Sequence, residues 1–280
     1  MAMRTLLAAG LALGALLPVG AQTVTFEVAS VKERTAPTDG AFVGRRPGGR
    51  FAAENAPLRE IVEYAYELQS FQLLGSLTPL ESPRWDITAT LGATAAAQAG
   101  PDATIQAVRA LLADRFGLAA HRDMRTLPVY ALRLARADGA MGPGLKKSDT
   151  DCPALIAAAR ASGPPPPAAR QCGFRGRVGG LQAIGAPLSE LGIALSGRVG
   201  RAIVDQTGLT GTWDLTLTYA PDSAQIPVGT LSPSAPPPAA NPDAPSLFAA
   251  LQEQLGLRLI STTAPVEVLV VDRVSRPTLD

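Results

Sequence analysis

The chain has 280 residues and a formal net charge of +1, with 25 Lys and Arg against 24 Asp and Glu. That balance gives no electrostatic reason to expect nucleic acid or an anionic membrane surface as the partner. Hydrophobic residues make up 46%, enough for a buried core, while 25 Pro and 27 Gly imply long irregular connections.

Met1 to Ala21 reads as a secretory signal peptide. Arg4 supplies the positive start, Leu6 to Leu17 the apolar run, and Val19-Gly20-Ala21 the small-residue cleavage site. The run is short for a bilayer span, which takes about 20 residues. A retained membrane anchor is the alternative. No Cys follows the run, which argues against a lipoprotein. The mature chain is then expected to begin at Gln22 and to be exported to the periplasm or the exterior. No later segment is apolar enough to span a membrane.

Thr23 to Val31 alternates, which predicts a strand with Val24, Phe26 and Val28 on one face. Gly44-Arg45-Arg46-Pro47-Gly48-Gly49-Arg50 predicts a basic turn, either an anion-binding rim or a solvated loop. Leu58, Ile61, Val62 and Ala65 have the spacing of an amphipathic helix. Asn55 is placed to cap it, and Pro57 is tolerated in its first turn. A short apolar segment follows, Phe71 to Leu74, and then the strand Trp85-Asp86-Ile87-Thr88-Ala89-Thr90. Val108, Leu111, Leu112 and Phe116 predict a second helix, with Gly117 where a left-handed C-cap is wanted. Pro128 to Leu134 predicts the final strand of this half.

The same series returns. Trp213-Asp214-Leu215-Thr216-Leu217-Thr218 repeats the Trp-Asp strand, and these are the chain's 2 Trp residues. Gly185-Ala186-Pro187-Leu188 answers Asn55-Ala56-Pro57-Leu58, and Leu188, Leu191 and Leu195 repeat the helix face. Ala202 to Val204 answers Phe71 to Leu74. Leu247, Leu251 and Leu255 lead to Gly256, and Pro265 to Val271 closes the second half. The spacing between counterparts is 128 residues for the Trp pair and 139 for the Gly pair. The difference falls where the second half carries a Pro-rich insertion, and loop insertions cost little.

The expected fold is therefore α+β, with two tandem duplicated β-α-β-β-α-β-β modules whose small sheets pack on two helices each. The expected boundaries are a signal peptide at 1–21, a first module at 22–147, a Pro-rich linker at 148–175 and a second module at 176–280 with an insertion at 224–246. Trp85, Trp213, Gly117 and Gly256 are the structural markers. The tract Ser232 to Pro245 is expected to cover a sheet edge or to stand free in solvent.

Candidate chemistry is sparse. Two Cys in an exported chain predict a disulfide, Cys152–Cys172, across the Pro run of the linker. His121 is the lone histidine. A Ser-His-Asp triad needs only one, but no Gly-x-Ser-x-Gly elbow is present, and Ile260 stands at the corresponding place in the second half. A polar strand position is the plainer reading. No ligand spacing for zinc is visible. Gly139 to Lys146 misses a phosphate loop, because Leu145 stands where that loop needs Lys. Asp86 and Asp214 face away from their Trp neighbours and read as solvated or cap-bonding residues rather than an acid–base pair.

The ordered set Phe26 to Lys32, Gly49-Arg50-Phe51, Leu58 to Tyr66, Trp85-Asp86-Ile87, Leu111 to Phe116, Pro128-Val129-Tyr130, Val204 to Gly211 and Pro265 to Leu269 resembles an acidobacterial-type secreted protein family of unknown function. The resemblance spans nearly all of the mature chain and implies no particular activity. That family's domain is also found attached to membrane sensor-peptidases resembling the beta-lactam sensor family, which implies an envelope or sensing role. Each module is similar in pattern to the small N-terminal domain of secretins and TonB-dependent receptors, the second most closely through Leu188 to Leu191, Val204-Asp205, Gly211 to Leu215 and Leu247 to Leu257. That similarity implies protein–protein contact. The Pro-rich insertion is foreign to it.

The expectation is a secreted, non-enzymatic binding protein with an envelope protein as partner, and with no catalytic, cofactor or metal residues. A secreted hydrolase and a structural envelope component are the alternatives. A pocket holding His121 with a carboxylate favours the hydrolase. An exposed sheet edge or apolar patch favours binding.

Overall fold

The computed structural model describes residues 24–35, 40–78, 80–92, 100–162, 171–221 and 244–277. The signal segment, the Pro run of the linker and nearly all of the Pro-rich insertion lie outside them. In the N-terminal half the elements are β1 (Phe26–Arg34), β2 (Phe42–Arg46), β3 (Arg50–Pro57), α1 (Leu58–Tyr66), β4 (Leu73–Leu74), β5 (Arg84–Leu91), α2 (Gly100–Phe116) and β6 (Ala119–Leu134). There follow β7 (Leu145–Lys147), α3 (Cys152–Ser162), β8 (Gly173–Arg177), β9 (Gly180–Ala186), α4 (Leu188–Val199), β10 (Ile203–Asp205), β11 (Trp213–Thr218), α5 (Leu247–Ala250) and β12 (Leu257–Arg273). The fold is α+β.

Period-two alternation sets the two Trp strands. In β5, Trp85, Ile87, Ala89 and Leu91 are buried, and in β11, Trp213, Leu215 and Leu217. Each strand sits second in its own four-stranded sheet. The first sheet runs β1-β5-β3-β2 and the third runs β7-β11-β9-β8. One core forms where Leu58, Ile61 and Val62 of α1 and Val108, Leu112 and Phe116 of α2 meet Trp85 and Ile87. A second forms where Leu188, Leu191 and Leu195 of α4 and Leu247, Leu251 and Leu255 meet Trp213 and Leu217. After α5 the helix widens into one π turn, Leu251–Leu255.

Gly117 and Gly256 follow their helices at φ +55° and +69°. Asn55 does not cap α1. The N-cap is Pro57, with no side-chain cap bond. Asn55 instead sits at φ +50° where the register of β3 against β5 slips between Ala53 and Ala56. Its amide N–H donates to Asp86 Oδ1 at 2.8 Å. Gly185 does the same in β9: φ +61°, a register slip against β11, and an N–H donated to Asp214 Oδ1 at 2.9 Å. Each Asp that follows a Trp thus holds the bulge of the neighbouring strand.

The closing elements differ from the expected strand pairs. Each half ends in one continuous strand, β6 of 16 residues and β12 of 17. They pair antiparallel from Leu134–Leu257 to Ala120–Val271, and form the middle of a second sheet ordered β10-β6-β12-β4. The outer strands cross over: β4 adds parallel to β12, and β10 adds parallel to β6. Two separate sheets with two helices each are therefore replaced by halves that share a sheet. Leu269 and Val271 of β12 enter the first core, and Leu132 of β6 enters the second. Pro128 is tolerated mid-strand for a local reason. Tyr130 N–H donates to Ala202 O at 2.9 Å, so Pro128 N faces the same side, before β10 begins.

The expected boundaries also shift. Leu145–Lys147, assigned to the first module by sequence, is β7 and pairs with β11 in the third sheet. The 148–175 linker contains α3, and Gly173 already starts β8. The disulfide Cys152–Cys172 is formed, with Cα atoms 5.7 Å apart. Closing a loop of 20 residues is worth roughly 3 kcal/mol. It also fixes α3 beside the bulge, since a Cβ on Gly185 would come within 2.5 Å of Cys152 Sγ.

Candidate functional site

His121 lies near the start of β6, opposite Val270. Its Nδ1 is 2.9 Å from Asp272 Oδ2, and the two side chains are 54% and 48% exposed. Among the described residues the imidazole has no hydroxyl or thiol partner. Solvent on both members keeps the pair in high dielectric, and no nucleophile stands beside it to be activated. Asp86 and Asp214 lie in different sheets and are bound to bulge amides. Glu63 is a carboxylate perturbed by its surroundings. Burial pushes its pKa up, against the lowering effects of the Ser70 hydroxyl and Arg59. Ser70 Oγ donates to it at 3.3 Å, but no imidazole adjoins them. No group of three or more His, Cys, Asp and Glu side chains able to hold a metal occurs among the described residues.

The solvent face of the third sheet carries an open polar groove of about 570 Å³. Arg175, Gln182 and Thr216 stand abreast on β8, β9 and β11, with Lys146 and Asp214 in the next row. These are solvated donors and acceptors on an exposed sheet face.

The sheet edges differ sharply in length. In the second sheet β4 has 2 residues and β10 has 3, and in the third β7 has 3 and β8 has 5. Edges this short offer little template for another chain. β1 has 9 residues, pairs with β5 along one side, and is the outer strand of its sheet. Phe26 to Val31 carries one charge, Glu27. The sequence places Val24, Phe26 and Val28 on one face. A register slip between Phe26 and Val28 changes that. Phe26 stacks near Phe51, with ring centroids 6.1 Å apart, whereas Val28 turns outward and is 66% exposed. Val31 returns to the core at 0% exposure. The far end of β1 is anchored: Arg34 Nε bonds both Asp86 oxygens at 3.1 and 3.0 Å, and Glu33 accepts from Arg276 at 2.9 Å. From Phe26 to Ser30 the outer side of β1 has no strand beside it among the described residues, and such an edge can accept a partner strand. Alternation alone missed this site because a bulge reverses the faces it assigns.

No curated protein and no solved structure matches the chain. No helix among the described residues is long and apolar enough to cross a membrane. One family model, described as a protein of unknown function (DUF3738), matches residues 59–274. That match runs from α1 through β12 and takes in both halves with the sheet they share, so the chain belongs to the DUF3738 family of proteins of unknown function.

Proposed function

We propose that this chain is an exported, non-enzymatic interaction module that captures an envelope protein by adding a partner strand to β1. The observation that carries this reading is the outer place of β1 in its sheet, with no further strand beside it among the described residues and Val28 turned to solvent. Main-chain pairing along such an edge gives affinity, and side chains at alternate positions give selectivity. The signal-like start of the sequence supports export, and the similarity of each module to the N-terminal domain of secretins and TonB-dependent receptors supports protein contact as its work.

The same proposal holds that the two halves are copies of one module. The orders β1-β5-β3-β2 and β7-β11-β9-β8 correspond strand for strand. Pro128 and Pro265 are 137 residues apart, and at that interval Leu127 corresponds to Ala264, the residue it faces near the middle of the β6–β12 ladder, as an internal twofold axis there requires. In the copy, β7 is cut to 3 residues, which leaves β1 as the edge able to bind.

Val28→Lys tests the reading. The side chain is already exposed, so the fold and melting temperature should hold, while a charge on the edge opposes strand addition. Capture of native envelope proteins by the mature chain should fall at least tenfold. Equal capture by the variant and its parent contradicts the proposal. Turnover of an ester, peptide or glycoside that is lost in His121→Ala favours the hydrolase instead.

A further inference from the structure

We propose that the groove on the solvent face of the third sheet binds an oligosaccharide, laid across the strands from Lys146 on β7 to Arg175 on β8. Its floor is mixed. Ile184 is the apolar patch, and Gly173, paired with it, leaves the space above open, since a Cβ there would meet nothing within 4 Å. Gln182, Thr216 and Asp214 border that patch. One wall is Gln171, next to Cys172 of the disulfide. The other is Pro143 and Gly144, held where Gly144 N–H donates to Gln254 O at 2.7 Å. Both walls are fixed, so the groove is formed before any ligand enters it.

The polar groups around this floor lack internal partners. Among the described residues, Lys146, Gln171, Arg175, Gln182 and Thr216 make no side-chain hydrogen bond or ion pair. Lys146 stands opposite Asp214 across β7 and β11, yet their charged groups form no ion pair. Asp214 Oδ1 accepts from Gly185 N–H at 2.9 Å, and its Oδ2 accepts from no described residue. The first sheet is the contrast within the same chain. There Asp86 Oδ1 accepts from Asn55 N–H at 2.8 Å, and Oδ2 accepts from Arg34 Nε at 3.0 Å. Arg34 lies one residue past the partner of Trp85, and Ser148 lies one residue past the partner of Trp213. The cation that satisfies the first carboxylate is thus a serine in the third sheet, where the carboxylate lines a groove.

Lys146 and Arg175 lie three strand spacings apart, roughly 14 Å, too far for one compact anion to bridge. Between them stand a carboxylate that only accepts, an amide that donates and accepts, and a hydroxyl. A run of ring hydroxyls, each able to donate and accept, answers that mixture, and the apolar face of a sugar ring suits Ile184. The volume of about 570 Å³ falls in the range of small-molecule sites. A peptide fits less well. The main-chain groups of β9 and β11 pair within the sheet, so the floor offers it no ladder.

Titration calorimetry and thermal melts of the mature chain with chitotriose, maltotriose, trigalacturonate and trialanine test the site. Saturable one-to-one binding of at least one sugar is expected, with a rise in Tm on its addition. Added salt should leave binding of the neutral sugars nearly unchanged, whereas tighter, salt-sensitive binding of trigalacturonate assigns Lys146 and Arg175 to its carboxylates. Gln182→Ala, at the middle of the floor, should weaken binding about tenfold. Its ligand-free Tm should hold, since the amide has no internal partner to lose. Thr88→Val, on the exposed face of β5, should bind as the parent does. So should Val28→Lys, which separates this site from strand capture at β1. Absence of binding by all three sugars overturns the proposal, as does binding of trialanine alone. Equal binding by Gln182→Ala and the parent, or an equal loss in Thr88→Val, overturns it too.

Discussion

Trp85→Ala is expected to lower stability by about 3–5 kcal/mol, a large part of the roughly 5–15 kcal/mol that holds a domain folded. Trp85 is fully buried, and its indole meets the Phe116 ring edge-on with centroids 5.1 Å apart. It joins β5 to α2, while its neighbour Asp86 holds the β3 bulge. Removing the ring empties the centre of the first core and leaves surrounding backbone that cannot collapse into the space. The loss is not confined to one half. β4 adds to β12, and Leu269 and Val271 of β12 pack in the same core. Denaturant melts should therefore show one cooperative transition at a lower midpoint. A midpoint unchanged from the parent, or a half that unfolds alone while the other keeps its parental midpoint, contradicts this.

Gly256→Ala is expected to cost about 3 kcal/mol or more, as left-handed strain and overpacking together. Gly256 sits at φ +69°, and a Cβ there would lie 2.7 Å from Gly142 N and 2.9 Å from Ala140 O. Both obstacles are backbone. The loop that carries them is tied down by Gly144 N–H donated to Gln254 O at 2.7 Å. Gly117 gives the control. Its φ is +55°, but the nearest obstacle is the Ser275 hydroxyl at 2.5 Å, a side chain that can rotate. Gly117→Ala should cost the backbone strain of roughly 1–2 kcal/mol and little else. Equal losses for the two variants in chemical denaturation would show that the packed loop does not contribute.

The local elements were legible in the sequence and the long-range pairings were not. Leu58, Ile61, Val62 and Ala65 spell a helix face because helical period is a property of neighbouring residues, and all four are buried. Trp85 and Trp213 each open an alternating strand for the same reason. Cys152 and Cys172 had no other partner. Asn55 misled because Asn serves both caps and left-handed bulges, and which role it takes is settled by Asp86, 31 residues away. Val28 misled because one extra residue in β1 reverses the alternation. Pro128 and Pro265 suggested strand starts, yet they lie inside β6 and β12. The open edge of β1 is a property of the sheet order, and no window of residues contains it.

Hydrogen exchange on the captured complex tests the central claim most directly. Backbone amides of β1 that point away from β5 exchange through the open edge in the free protein. When the envelope partner is bound they should become protected, with the effect concentrated from Phe26 to Ser30, while amides along β2 and β8 exchange as before. Unchanged exchange along β1 in a complex that has demonstrably formed would place the partner elsewhere and contradict strand addition.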